Sequence, residues 1–186
     1  MRLESRTLLF TQLSIEDLQY IHTFTSDYQS IAPYFTTRIR SQVYWETRFK
    51  KTGLWDDDYG MLLITSKSDQ EKIGVIWFFR SLPYAEGYEI GFNFFNPATK
   101  DRTHISSAMR IFSAYLFETY NIPRIQCNTL AKLSSENFDK FREEVGFVYE
   151  GTMRNAMFIR GELVDLQLFS MLREESRPLG DLLAKL

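Results

Sequence analysis

One cysteine, Cys127, and two histidines, His22 and His104, supply all the thiol and imidazole chemistry of this 186-residue chain. A single cysteine excludes an intramolecular disulfide and the Cys-rich zinc sites. The histidines stand too far apart in sequence to read as a metal pair, so no metal is expected. Long apolar runs are missing too. None approaches the roughly 18–20 residues of a membrane span, and no membrane partner is expected. Blocks of Lys and Arg are absent and the formal net charge is −2, which offers nucleic acid no basic face. Met1 to Phe10 carries Arg2, Glu4 and Arg6, unlike a secretory signal, so a cytoplasmic location is expected. The self-contained motifs GxSxG, GxGxxG, Walker A and HExxH do not occur. Repeats, low-complexity segments and linkers are also missing, and the expectation is one domain over residues 1–186.

What the chain does have is apolar patterning. Apolar residues make up 44% and charged residues 25%, the balance of a folded globular domain. Aromatics at 16% point first to a Phe-rich core. Arg6 to Gln12 reads as a first strand. Ser14 and Asp17 form a capping-box-like helix start, and Leu18, Ile21 and Phe24 follow at helical spacing. Ser41 to Lys51 predicts a second helix closed by Gly53. Tyr59 to Thr65, Lys72 to Ser81 and Gly87 to Phe95 then read as a meander of three antiparallel strands.

The period changes after Phe95. Ile105, Ala108, Met109, Phe112, Tyr115 and Leu116 mark one face of an amphipathic helix over Thr103 to Tyr120. A short linker leads to a strand at Arg124 to Thr129, a crossover that sets it beside the third meander strand. A helix from Ser134 to Val145, stopped by Gly146, precedes two strands at Phe147 to Met157 and Leu163 to Leu172, which turn at Arg160-Gly161. The tail, residues 173–186, holds a short C-terminal helix. The fold class is therefore α+β, with a mixed, mostly antiparallel central sheet and about four helices.

The segment from Gly87 onward carries a resemblance. Glu89-Ile90-Gly91, then Pro97 with Arg102 to Ala108, then Gly146-Phe147, Glu150-Gly151, Arg154, Asp165 and Phe169-Ser170, resemble the ribosomal-protein N-acetyltransferase (RimJ/RimL-like) branch of the GNAT superfamily. The opening Arg6-Thr-Leu-Leu with Ile15-Glu-Asp17 is similar to that family's start. The resemblance implies a single-domain GNAT (acyl-CoA N-acyltransferase) fold. It also implies acetyl-CoA as co-substrate and an amine acceptor, either a protein N-terminus or a small molecule. A homodimer is compatible with it.

The resemblance also distributes roles. A helix N-terminus collects backbone N–H donors and suits a pyrophosphate. Here that start comprises Arg102, Thr103, His104, Ile105, Ser106 and Ser107. Asp101 and Thr103 stand where family members mostly carry glycine, and residues 102–106 are similar to a variant subset reading R-T-H-V-N. The strand backbone at Phe92, Asn93 and Phe94 is expected to pair with the pantetheine amide, and Asn137 to contact the same arm. Glu89 is the candidate base, since an amine must lose a proton to attack, with a structural carboxylate hydrogen-bonded to backbone or an Arg as the other reading. Phe141 replaces the tyrosine that protonates the thiolate elsewhere in the superfamily, which leaves Ser134 or water for that role. Tyr34, Phe35 and Trp45 are candidates for the acceptor pocket, with core packing as the other reading of each. The alternative to an enzyme is a non-catalytic acyl-CoA-binding or interaction protein on the same fold.

Overall fold

A computed structural model describes residues 2–25, 40–80, 87–95, 102–131 and 144–186. Among them the chain runs through β1 (Arg2–Glu4), β2 (Leu8–Gln12), α1 (Ile15–Thr25), α2 (Gln42–Thr52), β3 (Tyr59–Ser66), β4 (Lys72–Arg80) and β5 (Gly87–Phe94). It continues through α3 (Arg102–Thr119), β6 (Arg124–Leu130), β7 (Val148–Ile159), β8 (Glu162–Leu172) and α4 (Leu179–Lys185). The strands form one sheet in the order β1-β2-β3-β4-β5-β6-β8-β7. Every neighbouring pair is antiparallel except β5 and β6, which are parallel because α3 carries the chain back between them.

The first strand differs from the expectation of Arg6 to Gln12. A turn from Ser5 to Leu8 takes Arg6 and Thr7 out of it, and the strand begins at Leu8. The Ser5 backbone N–H donates to Leu8 O at 2.9 Å, and its hydroxyl accepts the Leu8 N–H at 3.1 Å. The turn so closed folds Arg2–Glu4 back onto Leu9–Thr11 as an extra edge strand. Other boundaries follow local chemistry. Ser14 and Asp17 close a reciprocal cap, with Ser14 N–H to Asp17 Oδ2 at 2.7 Å and Asp17 N–H to Ser14 Oγ at 3.2 Å. Gly53 ends α2 in the left-handed region at φ 64° and donates to Phe49 O. Arg160 (φ 51°) and Gly161 (φ 85°) make the two-residue turn between β7 and β8. Of the helix expected at Ser134 to Val145, only its end, Glu144 and Val145, lies within the described residues.

The sheet separates two apolar clusters. On one face, Leu8, Phe10, Leu62, Ile64, Ile76, Phe78, Tyr88, Ile90 and Ile125 pack against Ala108, Met109, Phe112 and Leu116 of α3 and Leu182 of α4. On the other face, Met61, Leu63, Val75 and Trp77 pack against Leu18 and Ile21 of α1 and Trp45 and Phe49 of α2. A fully buried Phe or Leu of this kind stabilises by about 1.5–3 kcal/mol, so the α3 seam is the main anchor of the fold. The end of α3 is tied to β8 by Arg173, and the start of α4 by Glu118, whose carboxylate accepts the Leu179 N–H at 2.7 Å.

Candidate active site

Strand pairing between β5 and β6 is short. It runs Gly87↔Arg124, Tyr88↔Ile125 and Glu89↔Gln126, and stops there. Both strands go on, β5 to Phe94 and β6 to Leu130, each held on its outer side by β4 or β8. They therefore splay into a fork whose crotch is the Glu89–Gln126 rung. The fork opens toward the C-terminal end of β5. The start of α3 lies at that same end, because an 18-residue helix of about 27 Å must return the chain to the start of β6. A widening gap between parallel strands thus faces a helix N-terminus, the arrangement that binds anionic ligands in crossover folds.

Side chains alternate along β5. Tyr88 and Ile90 enter the α3-side core, so Glu89 and Gly91 point to the α1/α2 face. Gly91 pairs with Trp77, and a Cβ there would sit 2.6 Å from Trp77 Cζ2. Glycine lets the indole lie against the strand beside Glu89. The Glu89 carboxylate is half-buried. It accepts from Gln126 Nε2 at 3.3 Å and from Asn128 Nδ2 at 3.0 Å. Burial pushes its carboxyl above the usual carboxylate range, and the two amide donors offset this only in part. A base of raised affinity for protons, held at the fork, can take a proton from an amine or from a water bound to it.

Cys127 lies between these amides on β6 and, partly buried, packs against the α3-side core. Desolvation, with the Glu89 charge second, pushes its thiol up to about 12. It is neutral at ordinary pH and no nucleophile.

At the start of α3, Thr103 is exposed and Ile105 packs on the core. Ser106 and Ser107 are both buried, and the Ser106 hydroxyl donates back to Thr103 O at 3.2 Å. That hydroxyl is therefore committed to the helix turn, and the donors left for an anion are mainly backbone N–H groups. His104 faces the neighbouring cleft, of about 320 Å³, together with Arg6, Thr7, Lys67 and Ser68. Arg6 and Lys67 bring positive charge to this rim, with Lys67 paired to Glu4 at 2.8 Å. A second cleft, of about 280 Å³, lies at the opposite end of β5 beside Gly87, Tyr88 and Tyr120. Glu89 lines neither cleft.

The structure sets Asn93 and the α3 start at the open end of the fork and Glu89 at its crotch, nearer the start of β5. Trp45 is partly buried against the α1/α2-side core, which supports its packing role. Tyr34, Phe35, Asp101, Ser134, Asn137 and Phe141 lie outside the described residues. Sequence reasoning missed Gln126 and Asn128. The available signal was two amides at alternate positions of a strand, with the apolar Ile125 and Cys127 at the positions between and before them. A metal centre is not formed among the described residues, and no described helix is long and apolar enough to cross a membrane.

A split parallel strand pair, a crossover helix aimed at the split and a carboxylate in its crotch thus meet in one arrangement. The chain belongs to the GNAT acetyltransferase family: the family model for the acetyltransferase (GNAT) domain matches residues 7–134. It is a GNAT-type N-acetyltransferase, and acetyltransferases of this family use acetyl-CoA. No curated protein matches it in sequence. Among solved structures, it is similar to a ribosomal-protein-S5-alanine acetyltransferase from Vibrio fischeri, with 17% identity over 96% of this chain and all (100%) of that one, at a TM-score of 0.75. It is similar to a spermidine N-acetyltransferase from Vibrio cholerae in complex with CoA and spermine, with 20% identity over 90% of this chain and 96% of that one, at 0.72. A GNAT-family acetyltransferase from Bacillus anthracis matches with 19% identity over 94% of this chain and 99% of that one, at 0.73. At such identities the likeness is one of fold.

Proposed function

We propose that the chain moves the acetyl group of acetyl-CoA to the primary amine of a protein N-terminus or a small molecule, by direct attack, in the manner of the RimJ/RimL-like branch. The observation that carries this reading is Glu89 at the last β5–β6 rung, desolvated and held by two neutral donors. Acetyl-CoA enters from the α3 side, with its pyrophosphate at the backbone N–H groups of residues 102–107. The backbone of Phe92 to Phe94 pairs with its pantetheine arm. The acceptor comes from the α1/α2 face, where Glu89 points. The amine nitrogen loses a proton to Glu89, directly or through water, and attacks the acetyl carbonyl. The new C–N bond forms as the C–S bond breaks, and CoA leaves as a thiolate that takes up a proton. Asn137 is assigned to the CoA arm and Ser134 to the thiolate, while Tyr34 and Phe35 are assigned to the acceptor pocket. The branch assignment rests on the Glu89-Ile90-Gly91, Glu150-Gly151 and Asp165 to Ser170 motifs. The action is placed in the cytoplasm.

The test is Glu89→Gln. Acetyl-CoA binding, read as a thermal shift, is retained, and turnover of an amine panel falls by about 10²–10⁴-fold. Unchanged turnover would remove Glu89 as base. Absence of any thermal shift in the wild-type protein at millimolar acetyl-CoA would overturn the enzyme reading in favour of an interaction protein.

A further inference from the structure

Asn128 has an atom the fold leaves unused. Its Nδ2 donates to Glu89 Oε1 at 3.0 Å, but its Oδ1 is buried and has no hydrogen-bond partner among the described residues. A buried acceptor of this kind is normally satisfied, by protein or by a bound molecule. Turning the amide over would set Oδ1 against the Glu89 carboxylate, acceptor against acceptor, so the hydrogen bond fixes its orientation. Asn128 lies two residues beyond the last β5–β6 rung, on the β6 side of the open fork.

The two donors are also of one kind. Gln126 reaches Glu89 Oε2 and Asn128 reaches Oε1, so each carboxylate oxygen receives one neutral N–H. No ion pair to Glu89 forms among the described residues. A Lys or Arg in either place would hold the carboxylate charged and spoil it as a proton acceptor. Neutral amides fix its plane without doing so. An ionised carboxylate has about four acceptor sites, and the amides fill two of them.

We infer that Gln126 and Asn128 are positioning residues for the base, and that Asn128 Oδ1 and Glu89 Oε1 together form a two-acceptor cradle for the N–H groups of the incoming primary amine or the O–H groups of the water that carries its proton. This rests on Glu89 acting as the base. A primary ammonium has three N–H donors and a neutral primary amine two, so either can bridge the pair, and once the ammonium has given a proton to Glu89 the nitrogen lone pair is free to meet the thioester. A secondary or tertiary amine in its neutral form cannot, so direct proton transfer in the cradle favours primary amines.

The experiment uses Asn128→Leu, close in size and without polar atoms, and Asn128→Asp as a second variant in case the first fails to fold. Folding is checked by thermal melting. The pH profile of kcat/KM, the KM for the acceptor and the KM for acetyl-CoA are measured on an amine substrate found by panel screening. The carboxyl of Glu89 is titrated by carbon NMR with Glu89→Gln for assignment. For Asn128→Leu the expected result is an acid limb moved to higher pH by about one pH unit. The acceptor KM rises several-fold and the acetyl-CoA KM is unchanged. Asn128→Asp moves the limb further, because a second carboxylate faces the first. A folded variant with unmoved NMR titration overturns the pairing, whatever the rate does. A titration that moves while the rate profile stays in place overturns Glu89 as base, and the cradle's catalytic role with it. A moved limb with an unchanged acceptor KM overturns the cradle but keeps the positioning pair.

Discussion

Removing the Arg173 side chain should loosen the whole α3 face. Its guanidinium stands at the C-terminus of α3, where the last carbonyls have no helical partner. Nη1 donates to Phe117 O at 2.5 Å, Nη2 to Tyr120 O at 2.6 Å and Nε to Ile122 O at 3.0 Å, while the Arg173 backbone N–H donates to Pro123 O at 3.0 Å. One planar group thus terminates the helix and fastens it to the end of β8. A hydrogen bond from a charged donor contributes about 1.5–3 kcal/mol. The group is half-buried and the freed carbonyls regain water, so the sum for three is smaller than additivity gives. Arg173→Ala is expected to cost about 2–4 kcal/mol, from lost charge-assisted bonds and the lost charge at the helix end. For a chain of this length that lowers the melting temperature by about 5–15 °C. The assay is urea unfolding followed by tryptophan fluorescence, with the midpoint falling and the slope unchanged. Arg173→Lys should recover only part of the loss, since one ammonium cannot reproduce the planar fork. A loss below about 0.5 kcal/mol for Arg173→Ala would refute the reasoning, because that is the ordinary scale of a surface substitution.

Two further outcomes follow from the same geometry. Asp17 is nearly buried, which raises its carboxyl, but Lys72 at 2.7 Å and the Ser14 N–H outweigh that and hold it below the usual carboxylate range. Its stabilisation is present above the unfolded carboxylate pKa of about 4 and is lost as pH falls through the lower folded value. Asp17→Ala should therefore cost about 1–3 kcal/mol near neutrality, with the gap to wild type closing on acidification. A gap independent of pH in chemical unfolding would count against it. Cys127, its thiol pushed up to about 12 by burial, should react with a thiol reagent far more slowly in the folded protein than in urea at pH 8. Equal rates would show the thiol to be accessible and ionised.

The position of most elements was legible because each has a local cause. The α3 face announces itself in Ile105, Ala108, Met109, Phe112 and Leu116. The Ser14/Asp17 cap, the Gly53 stop and the Arg160-Gly161 turn are chemistry of adjacent residues. The extra edge strand was not legible, since Ser5 reverses the chain only because Leu9 to Thr11 is there to receive Arg2 to Glu4. Arg173 was equally silent. Its partners lie more than 50 residues away in sequence, and no pattern of spacing reports such a contact.

Among the described residues and apart from β1, the sequence by itself determined the α+β element order, the crossover that makes β5 and β6 parallel, and the choice of Glu89 as the carboxylate of interest. Only the tertiary structure decided what that carboxylate is. Its depth, its raised proton affinity and its two amide partners depend on β6 lying beside β5 for three rungs and then parting from it. Periodicity gives which way a side chain points along its own strand. It does not give which residues of another strand meet it, and a desolvated group takes its chemistry from those neighbours.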